Sequence, residues 1–143
     1  MTLADSNIWL ALTLSQHLFH AAAQRWLLSL PKSRKVAFSR STQQSYLRLL
    51  TTAAVVSAYG IPPLSNHDAW LAYQGWLADA RIEYVDEPPG VEELWKTLAV
   101  RKTSSPKVWM DAYLAAFAIA GGLQFITTDK DFKQFQGLNL VVL

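Results

Sequence analysis

Short apolar runs alternate along the chain with longer stretches of helical periodicity. The apolar runs end at polar or turn-forming residues, as buried β-strands do. Five such strands are predicted: Thr2–Ala4, Lys35–Ser39, Arg81–Val85, Leu123–Thr127 and Asn139–Leu143. Between them, apolar side chains recur at the spacing of one helix face. The predicted helices are His17–Leu30, Ser41–Val56, Asn66–Ala80, Gly90–Val100, Ser105–Ala120 and a short Lys130–Phe135.

Helix-breaking residues separate several of these elements. Pro31 stops the first predicted helix, and Gly60 with Pro62 and Pro63 ends the second. The last long helix has Ser105 as a candidate N-cap and proline at its first position. It ends at a pair of glycines, which favour helix termination.

Strands that alternate with helices predict a parallel sheet covered by helices on both faces. Right-handed crossovers leave few topologies. If the chain winds from the first strand out to the third and then returns, the strand order becomes 3-2-1-4-5. The predicted fold is therefore a three-layer α/β/α sandwich with a five-stranded parallel sheet, formed by a single domain over residues 1–143.

The composition says more about the chemistry of the protein than about its fold. Of the 143 residues, 51% are hydrophobic and 17% charged, which predicts a compact core rather than disorder. There is no cysteine, so disulfides and thiolate chemistry are excluded. The net charge of +2 is too small to predict a nucleic-acid partner by itself.

No membrane or export signal is evident in the pattern. The N-terminus lacks the basic segment of a signal peptide. The longest uncharged runs are interrupted by Asn, Ser, Gln and His, so they fall short of the roughly 20 apolar residues that span a bilayer. We therefore expect a cytoplasmic protein without a membrane partner.

Aspartates lie just after the ends of two of the predicted strands. Asp5 follows the first strand and Asp129 follows the fourth, and these two strands are neighbours in the order 3-2-1-4-5. Ligands of open α/β sheets bind beyond the carboxyl ends of the strands, where the winding direction reverses. A third acid, Asp111, is the only charged residue between Lys107 and Asp129 and lies on an apolar helix. Such a carboxylate requires compensation by a cation, by Lys107 one turn earlier, or by the helix N-terminus.

Three converging carboxylates without histidine or cysteine are hard oxygen ligands, which suit magnesium or manganese. Such a site activates water and stabilises charge in phosphodiester cleavage. Simpler interpretations stay open for each acid: Asp129 as a cap of the following helix, Asp5 as a turn residue, and Asp111 as a solvated acid in a first helical turn. His17 and His20, one turn apart, are either a metal pair or a polar helix edge.

Several motifs taken together carry a family resemblance. The sequence resembles PIN domains, specifically the VapC-type toxin ribonucleases of bacterial and archaeal toxin–antitoxin pairs. The D-x-N motif at the start and the D-A-x-L-A…T-x-D-x-D-F motif near the end are fairly specific in combination. The matching segments are "LADSNIWLAL", "HAAAQRWL", "STQQSYLRLLT" and "MDAYLAAFAIAGGLQFITTDKDF".

The resemblance implies roles for individual residues. Asp5, Asp111 and Asp129 match the family's metal-binding and catalytic acids. Four further positions match supporting residues: Asn7, Thr127, Thr128 and Asp131. The resemblance also implies Mg²⁺ or Mn²⁺ as cofactor, structured RNA as substrate, a VapB-type antitoxin as partner, and a homodimer.

One position departs from the family pattern. The family usually has a glutamate in the motif that here contains Gln43, with Ser45 as the alternative register. An amide oxygen can bind a metal or its water, but it supplies no negative charge and cannot act as a base. We therefore expect weaker ion binding, or one ion instead of two.

Basic residues near these motifs are candidate RNA contacts. Arg101, Lys102 and Lys107 precede the Asp111 helix, and Arg48 lies on the same predicted helix as Gln43. They are interpreted either as phosphate-binding residues or as a solvated surface. Most of the six tryptophans are expected in the core, with exposed ones marking an association surface.

The leading hypothesis is a metal-dependent endoribonuclease, the toxin of a VapBC-type pair. The alternative is a catalytically degenerate PIN-like module that binds RNA or protein, which the missing glutamate motivates. An aspartyl phosphatase is disfavoured because the "DSN" segment lacks the second acid of that class.

Overall fold

The computed structural model describes residues 1–143 and contains one five-stranded sheet in which every pairing is parallel. The spatial order is β3-β2-β1-β4-β5, as predicted from the alternation of elements. The strands are β1 (Thr2–Ala4), β2 (Val36–Phe38), β3 (Ile82–Tyr84), β4 (Gln124–Thr127) and β5 (Asn139–Val142). Each lies inside a predicted strand, so the short apolar runs located all five.

Seven α-helices cover the sheet. They are α1 (Ser6–Thr13), α2 (His20–Ser29), α3 (Arg40–Leu50), α4 (Ala53–Val56), α5 (Asn66–Leu77), α6 (Val91–Ala99) and α7 (Pro106–Ala120). Two short 3-10 turns, Ser57–Tyr59 and Lys130–Gln134, complete the chain. None of the helices is long and apolar enough to cross a membrane.

Helix α1 was not among the predicted helices. Its residues Ile8 to Leu12 are all buried, so the helix has no polar face that would give it a recognisable period. Its position is nevertheless decisive for the site. It begins one residue after Asp5, and the Asp5 carbonyl accepts hydrogen bonds from the first turn of the helix.

The predicted helix Ser41–Val56 is in fact two helices. The hydroxyls of Thr51 and Thr52 both donate to the Arg48 carbonyl, and the chain leaves α3 at this point. Threonine hydroxyls compete with the backbone for carbonyl groups, which explains the break. Ser105, the predicted N-cap of α7, makes no capping hydrogen bond, although proline does occupy the first position of that helix.

The helices form two layers, one on each face of the sheet. One core cluster joins α1, α2, α3 and α5 to the sheet, and its largest side chains are Trp9, Phe38 and Tyr46. The other joins α6 and α7 to the opposite face and includes Phe117 and Phe125. This arrangement confirms the predicted α/β/α sandwich.

Trp9 lies at the centre of the first layer. Its indole is fully buried, stacks on Phe38 with ring centroids 3.8 Å apart, and donates to the Ala4 carbonyl at 3.1 Å. On α5 the predicted packing is only partly confirmed. Tyr73 is buried, but Trp70 remains 47% exposed.

We expect Trp9→Ala to lower the free energy of unfolding by about 3–5 kcal/mol, since it leaves a large cavity and removes the stacking partner of Phe38. Urea unfolding monitored by circular dichroism measures this change. Leu18→Ala is the control, because Leu18 is 87% exposed and a surface substitution changes stability by about 0.5 kcal/mol or less. Equal effects of the two substitutions would contradict the assignment of Trp9 to the core.

Candidate active site

Asp5 lies at the carboxyl end of β1, beside the corresponding end of β4. Its backbone N–H donates to the Ile126 carbonyl at 3.0 Å, which extends the β1–β4 pairing by one residue. Only 7% of the residue is exposed. The side chain does not cap α1, so both carboxylate oxygens are available to other groups. The interpretation of Asp5 as an isolated turn residue is therefore wrong.

The hydroxyl of Thr127 ties the two strand ends together. It donates to Asp5 Oδ2 at 2.7 Å and accepts from Asn7 Nδ2 at 3.1 Å and from the Asp129 N–H at 3.0 Å. A hydroxyl has one proton and two acceptor sites, so Thr127 is saturated. The other end of the Asn7 amide accepts from the Thr128 N–H at 3.3 Å. Asn7, Thr127 and Thr128 therefore form one hydrogen-bond network that joins the ends of β1 and β4.

Asp129 combines two of the predicted roles. Its Oδ1 accepts from the Asp131 N–H at 2.9 Å and caps the following 3-10 turn. Its Oδ2 points to Lys107, whose ammonium lies 3.0 Å away. Asp131 is 2.8 Å from the same ammonium. The capping interpretation is thus correct, yet it leaves one oxygen of Asp129 free to meet a cation.

Asp111 completes the cluster from the side of α7. It lies 3.9 Å from the Lys107 ammonium, one helical turn away. Lys107 therefore neutralises Asp111, which is one of the three forms of compensation expected for this acid. One ammonium is within 4 Å of Asp111, Asp129 and Asp131, so the cluster already surrounds a positive charge.

Burial and the charge of neighbouring carboxylates raise the pKa values of Asp5 and Asp111. Burial raises the pKa of Asp5, although hydrogen bonds from Thr127 and Ser6 oppose the shift. Burial also raises the pKa of Asp111, which Lys107 opposes and the nearby carboxylates of Asp129 and Asp5 reinforce. The carboxylate of Asp129 thus raises the pKa of both Asp5 and Asp111.

In contrast to Asp5 and Asp111, the pKa values of Asp129 and Lys107 are both shifted in favour of the charged form. Burial opposes ionisation of Asp129, but the Asp131 N–H and Lys107 hold the pKa of its carboxyl below the usual value. Hydrogen bonds to Asp131 and Asp129 raise the pKa of Lys107 well above its ordinary value. At neutral pH, Lys107 is therefore charged and bound to the acids.

The side chains of this site offer the kind of ligand atoms that a hard divalent cation binds. The available donors are carboxylate oxygens, with amide and hydroxyl groups behind them, and these are the ligands that magnesium and manganese prefer. No three acidic or histidine side chains of the structure stand close enough together to hold an ion as they are. Binding would require Lys107 to leave and the carboxylates to close on the space that its ammonium fills.

Gln43 is buried near the start of α3, but it makes no hydrogen bond to the aspartates. Its Oε1 accepts from the Arg40 guanidinium. That guanidinium also lies over the Tyr84 ring, 4.8 Å from the centroid. The amide oxygen of Gln43 is thus already occupied by a cationic side chain.

The predicted RNA-binding residues do not form one surface with the acids. Only Lys107 contacts them. Arg101 is exposed and donates to Gln134 at 3.4 Å, and Lys102 is exposed beside it. Arg48 instead lines a cavity of about 400 Å³ between α3 and α5, together with Trp70. Arg48 is in the last turn of α3, whereas the first turn of that helix follows the end of β2.

Two residues of the site were not singled out from the sequence. Ser6 donates to Asp5 Oδ1 at 3.2 Å, and its place directly after Asp5 was the available signal. Arg40 holds Gln43, and the three-residue spacing on a helix was the signal in that case. The candidate histidine pair is engaged elsewhere: His17 accepts from the Phe19 N–H and His20 contacts the Ala11 carbonyl.

The sheet order, the aspartates at the strand ends and the Asn–Thr network define the class of protein. The chain belongs to the PIN-domain family, whose model matches residues 2–138. It is a homologue of the VapC ribonuclease toxins. It is 51% identical to Ribonuclease VapC41 of Mycobacterium tuberculosis over 144 residues, which cover 100% of this chain and 99% of the relative.

Solved structures agree with the fold. VapBC2 from Rickettsia felis, bound to a DNA fragment from its promoter, matches with a TM-score of 0.68 at 16% identity and covers 99% of this chain and 97% of that one. VapC20 of Mycobacterium tuberculosis, a sarcin-ricin loop cleaving toxin, matches with a TM-score of 0.68 at 19% identity, with 97% and 98% covered. A toxin–antitoxin complex from Klebsiella pneumoniae has a TM-score of 0.59 at 18% identity, with 99% and 97% covered.

We expect Asp5→Asn to be more stable than the wild type in EDTA at about pH 7. Folding raises the pKa of Asp5 above its ordinary value of 3.8, so its stabilising contribution is complete below that value and is lost as the pH rises through the folded pKa. Asparagine does not ionise and avoids this loss. Thermal unfolding between about pH 3 and pH 8 should show a difference that shrinks as the pH falls.

Asp79→Asn is the control with the opposite sign. The hydrogen bonds from Arg81 lower the pKa of Asp79 to about 2, so its carboxylate stabilises the fold above its ordinary pKa of 3.8 and loses that effect as the pH falls towards 2. This variant should be less stable than the wild type at neutral pH. An Asp5→Asn protein that melts below the wild type at pH 7 would contradict the expected cost of the buried charge.

Proposed function

We propose that this protein is the ribonuclease toxin of a VapBC-type pair and that it cleaves RNA with a divalent cation, magnesium or manganese. The observation that supports this proposal most strongly is that Asp111, Asp129 and Asp131 lie within 4 Å of one positive charge, the Lys107 ammonium, while Asp5 is joined to Asp129 through the Thr127 hydroxyl. The 51% identity to a VapC ribonuclease over the full chain supports the reaction class.

The three aspartates have distinct tasks in this proposal. Asp5 is the fixed ligand, because Thr127 and Ser6 hold both of its oxygens. Asp111 and Asp129 approach from α7 and β4. When bound, the cation would supply an activated water and stabilise negative charge on the phosphate. Asn7 and Thr127 do not touch substrate but fix the carboxylates, and loss of such supporting partners typically costs 10–100-fold in activity or metal affinity.

Lys107 has to move for this site to work. Its long side chain is 61% exposed, so the ammonium can leave the acids without disturbing the core. Once displaced it remains beside the scissile phosphate, where it binds the backbone of the RNA. Arg101 and Lys102 precede α7 in the chain, and in this proposal they bind the RNA at a distance from the acids.

The partners follow from the same family membership. VapBC2 from Rickettsia felis is a toxin–antitoxin structure, and so is the complex from Klebsiella pneumoniae. We accordingly assign to this chain a VapB-type antitoxin, an RNA substrate and a homodimeric state in the cytoplasm. We also propose that residues 1–143 form a single domain.

A catalytically degenerate RNA- or protein-binding module is the second candidate. One observation favours it: the position of the family's glutamate is Gln43, and its amide oxygen is bound by Arg40. A site with three carboxylates holds less negative charge than one with four and binds divalent cations less tightly.

Asp111→Asn should reduce RNA cleavage by about 100-fold or more, the loss typical of removing a group that stabilises developing charge. Purified protein, total RNA and manganese, with product ends mapped, measure this effect. Asp68→Asn is the matched control, since Asp68 is exposed at the start of α5 and should retain full activity. Full cleavage by Asp111→Asn would reject the proposed site, whereas RNA retention without cleavage by the wild type would favour the degenerate module.

Gln43→Glu should tighten manganese binding by roughly tenfold, because it adds a carboxylate at the position that best matches the family's glutamate. Calorimetric titration of the EDTA-stripped protein measures the affinity without relying on activity. Gln44→Glu adds the same charge at an exposed neighbouring position and should change the affinity far less. Equal affinities for wild type and Gln43→Glu would show that residue 43 lies outside the cation's reach.

A further inference from the structure

A cleft opens next to the acid cluster, between the start of α3 and the helices α6 and α7. Its volume is about 290 Å³. One wall contains Met110, which directly precedes Asp111 in the chain. The other contains Arg40, which hydrogen bonds to Gln43. The cleft is lined by Arg40, Ser41, Gln44, Trp95, Met110 and Tyr113.

The wall formed by α6 and α7 is apolar and aromatic, and it is rigid. The Trp95 indole donates to the Trp109 carbonyl at 2.8 Å and packs edge-on against Tyr113, with ring centroids 5.6 Å apart. The Tyr113 hydroxyl donates to Glu87 at 2.6 Å. These contacts hold the rings in place, and Met110, which is 55% exposed, adds a polarisable thioether.

The opposite wall is polar and positively charged. The Arg40 guanidinium is held over Tyr84 and uses one N–H group on Gln43, so other N–H donors remain free. Ser41 and Gln44 add a hydroxyl and an amide, which both donate and accept hydrogen bonds. The cleft therefore combines a flat apolar face with a hydrogen-bonding edge and a cation.

The two walls of the cleft differ in charge. Arg40 makes its wall attractive to a phosphate. On the facing wall the carboxylate of Glu87, which accepts from the Tyr113 hydroxyl, repels phosphate and favours an uncharged group. A nucleotide carries its negative charge and its flat aromatic ring on separate parts, so it satisfies both walls of the cleft at once.

We infer that this cleft is a nucleotide subsite, in which one unpaired ribonucleotide of the RNA, adjacent to the cut phosphate, places its base on the wall formed by Trp95, Met110 and Tyr113. The inference rests on the proposed function and deepens it. Base–aromatic contacts accept any base, whereas hydrogen bonds to Gln44 and Ser41 distinguish bases by their edges. The subsite thus contributes both affinity and a sequence preference next to the cut.

Met110→Glu tests the subsite without disturbing the core. The side chain is exposed, and the new carboxylate repels RNA and blocks the apolar wall. Binding is measured by fluorescence anisotropy with a labelled random-sequence decaribonucleotide and manganese, in the Asp5→Asn background so that no cleavage occurs. We expect the dissociation constant to rise by about fivefold or more, the scale of losing one base–aromatic contact.

Leu71→Glu is the matched control. Leu71 is 50% exposed on α5, which lies in the helix layer opposite α6 and α7 and does not line the cleft, so the substitution introduces the same charge away from the wall that contains Met110. Equal dissociation constants for Met110→Glu and Leu71→Glu would overturn the inference. Urea unfolding of both variants verifies that they are folded.

A second measurement examines base preference in the cleavage-competent chain. Products of a randomised RNA are mapped at their ends for wild type and Gln44→Ala. We expect Gln44→Ala to weaken the preference at one position beside the cut, and an unchanged preference would overturn the role of Gln44. If the wild type cuts no RNA, the proposed function fails, while the binding measurement still decides whether the cleft holds a nucleotide.

Discussion

The parallel pairing of β1 with β4 is the constraint on which the rest of this molecule depends. In that register Ala4 lies beside Ile126, so the next residues of the two strands emerge at the same edge of the sheet. The pairing brings Asp5 and Asp129 together although 123 positions of chain separate them. Thr127 then uses its single hydroxyl to join both strand ends, which makes the relative position of the acids a property of the sheet rather than of a loop.

Bringing carboxylates together creates a charge that must be neutralised. Burial and repulsion raise the pKa values of Asp5 and Asp111, so the folded protein carries an electrostatic cost at neutral pH. In this structure the Lys107 ammonium offsets part of that cost. A divalent cation would do so more completely, because it carries twice the charge and contacts several oxygens at once. The same burial and repulsion that weaken the fold are the physical basis for the proposed metal site.

Much of this architecture could be predicted from local sequence. The five strands followed from short apolar runs, and their order followed from the alternation with helices. The acids at the strand ends followed from the rule that open sheets bind ligands there. The network of Asn7 and Thr127 was implied by the family motif, and the structure supplied its physical reason, a hydroxyl saturated by three partners.

Other features depend on packing that no local pattern encodes. Helix α1 is buried on every side, which removes the polar face that identifies a helix. Arg48 lies on α3, as predicted, but in its last turn. There it lines the groove beside Trp70, which is a different surface from that of the acids. The contact between Arg40 and Gln43 depends on where the Tyr84 ring holds the guanidinium. Composition could indicate a basic bias, but not which basic side chain the acids would bind.

A manganese-soaked crystal tests the central claim most directly, because anomalous scattering locates the ion without reference to activity. We expect one strong anomalous peak bonded to carboxylate oxygens of Asp5, Asp111 and Asp129. The distance between the ion and these oxygens should be near that of magnesium–oxygen bonds, about 2.0–2.1 Å. The Lys107 ammonium should have left the acids. A peak elsewhere, or no peak with Lys107 still bound to Asp129, would contradict a shared cation site.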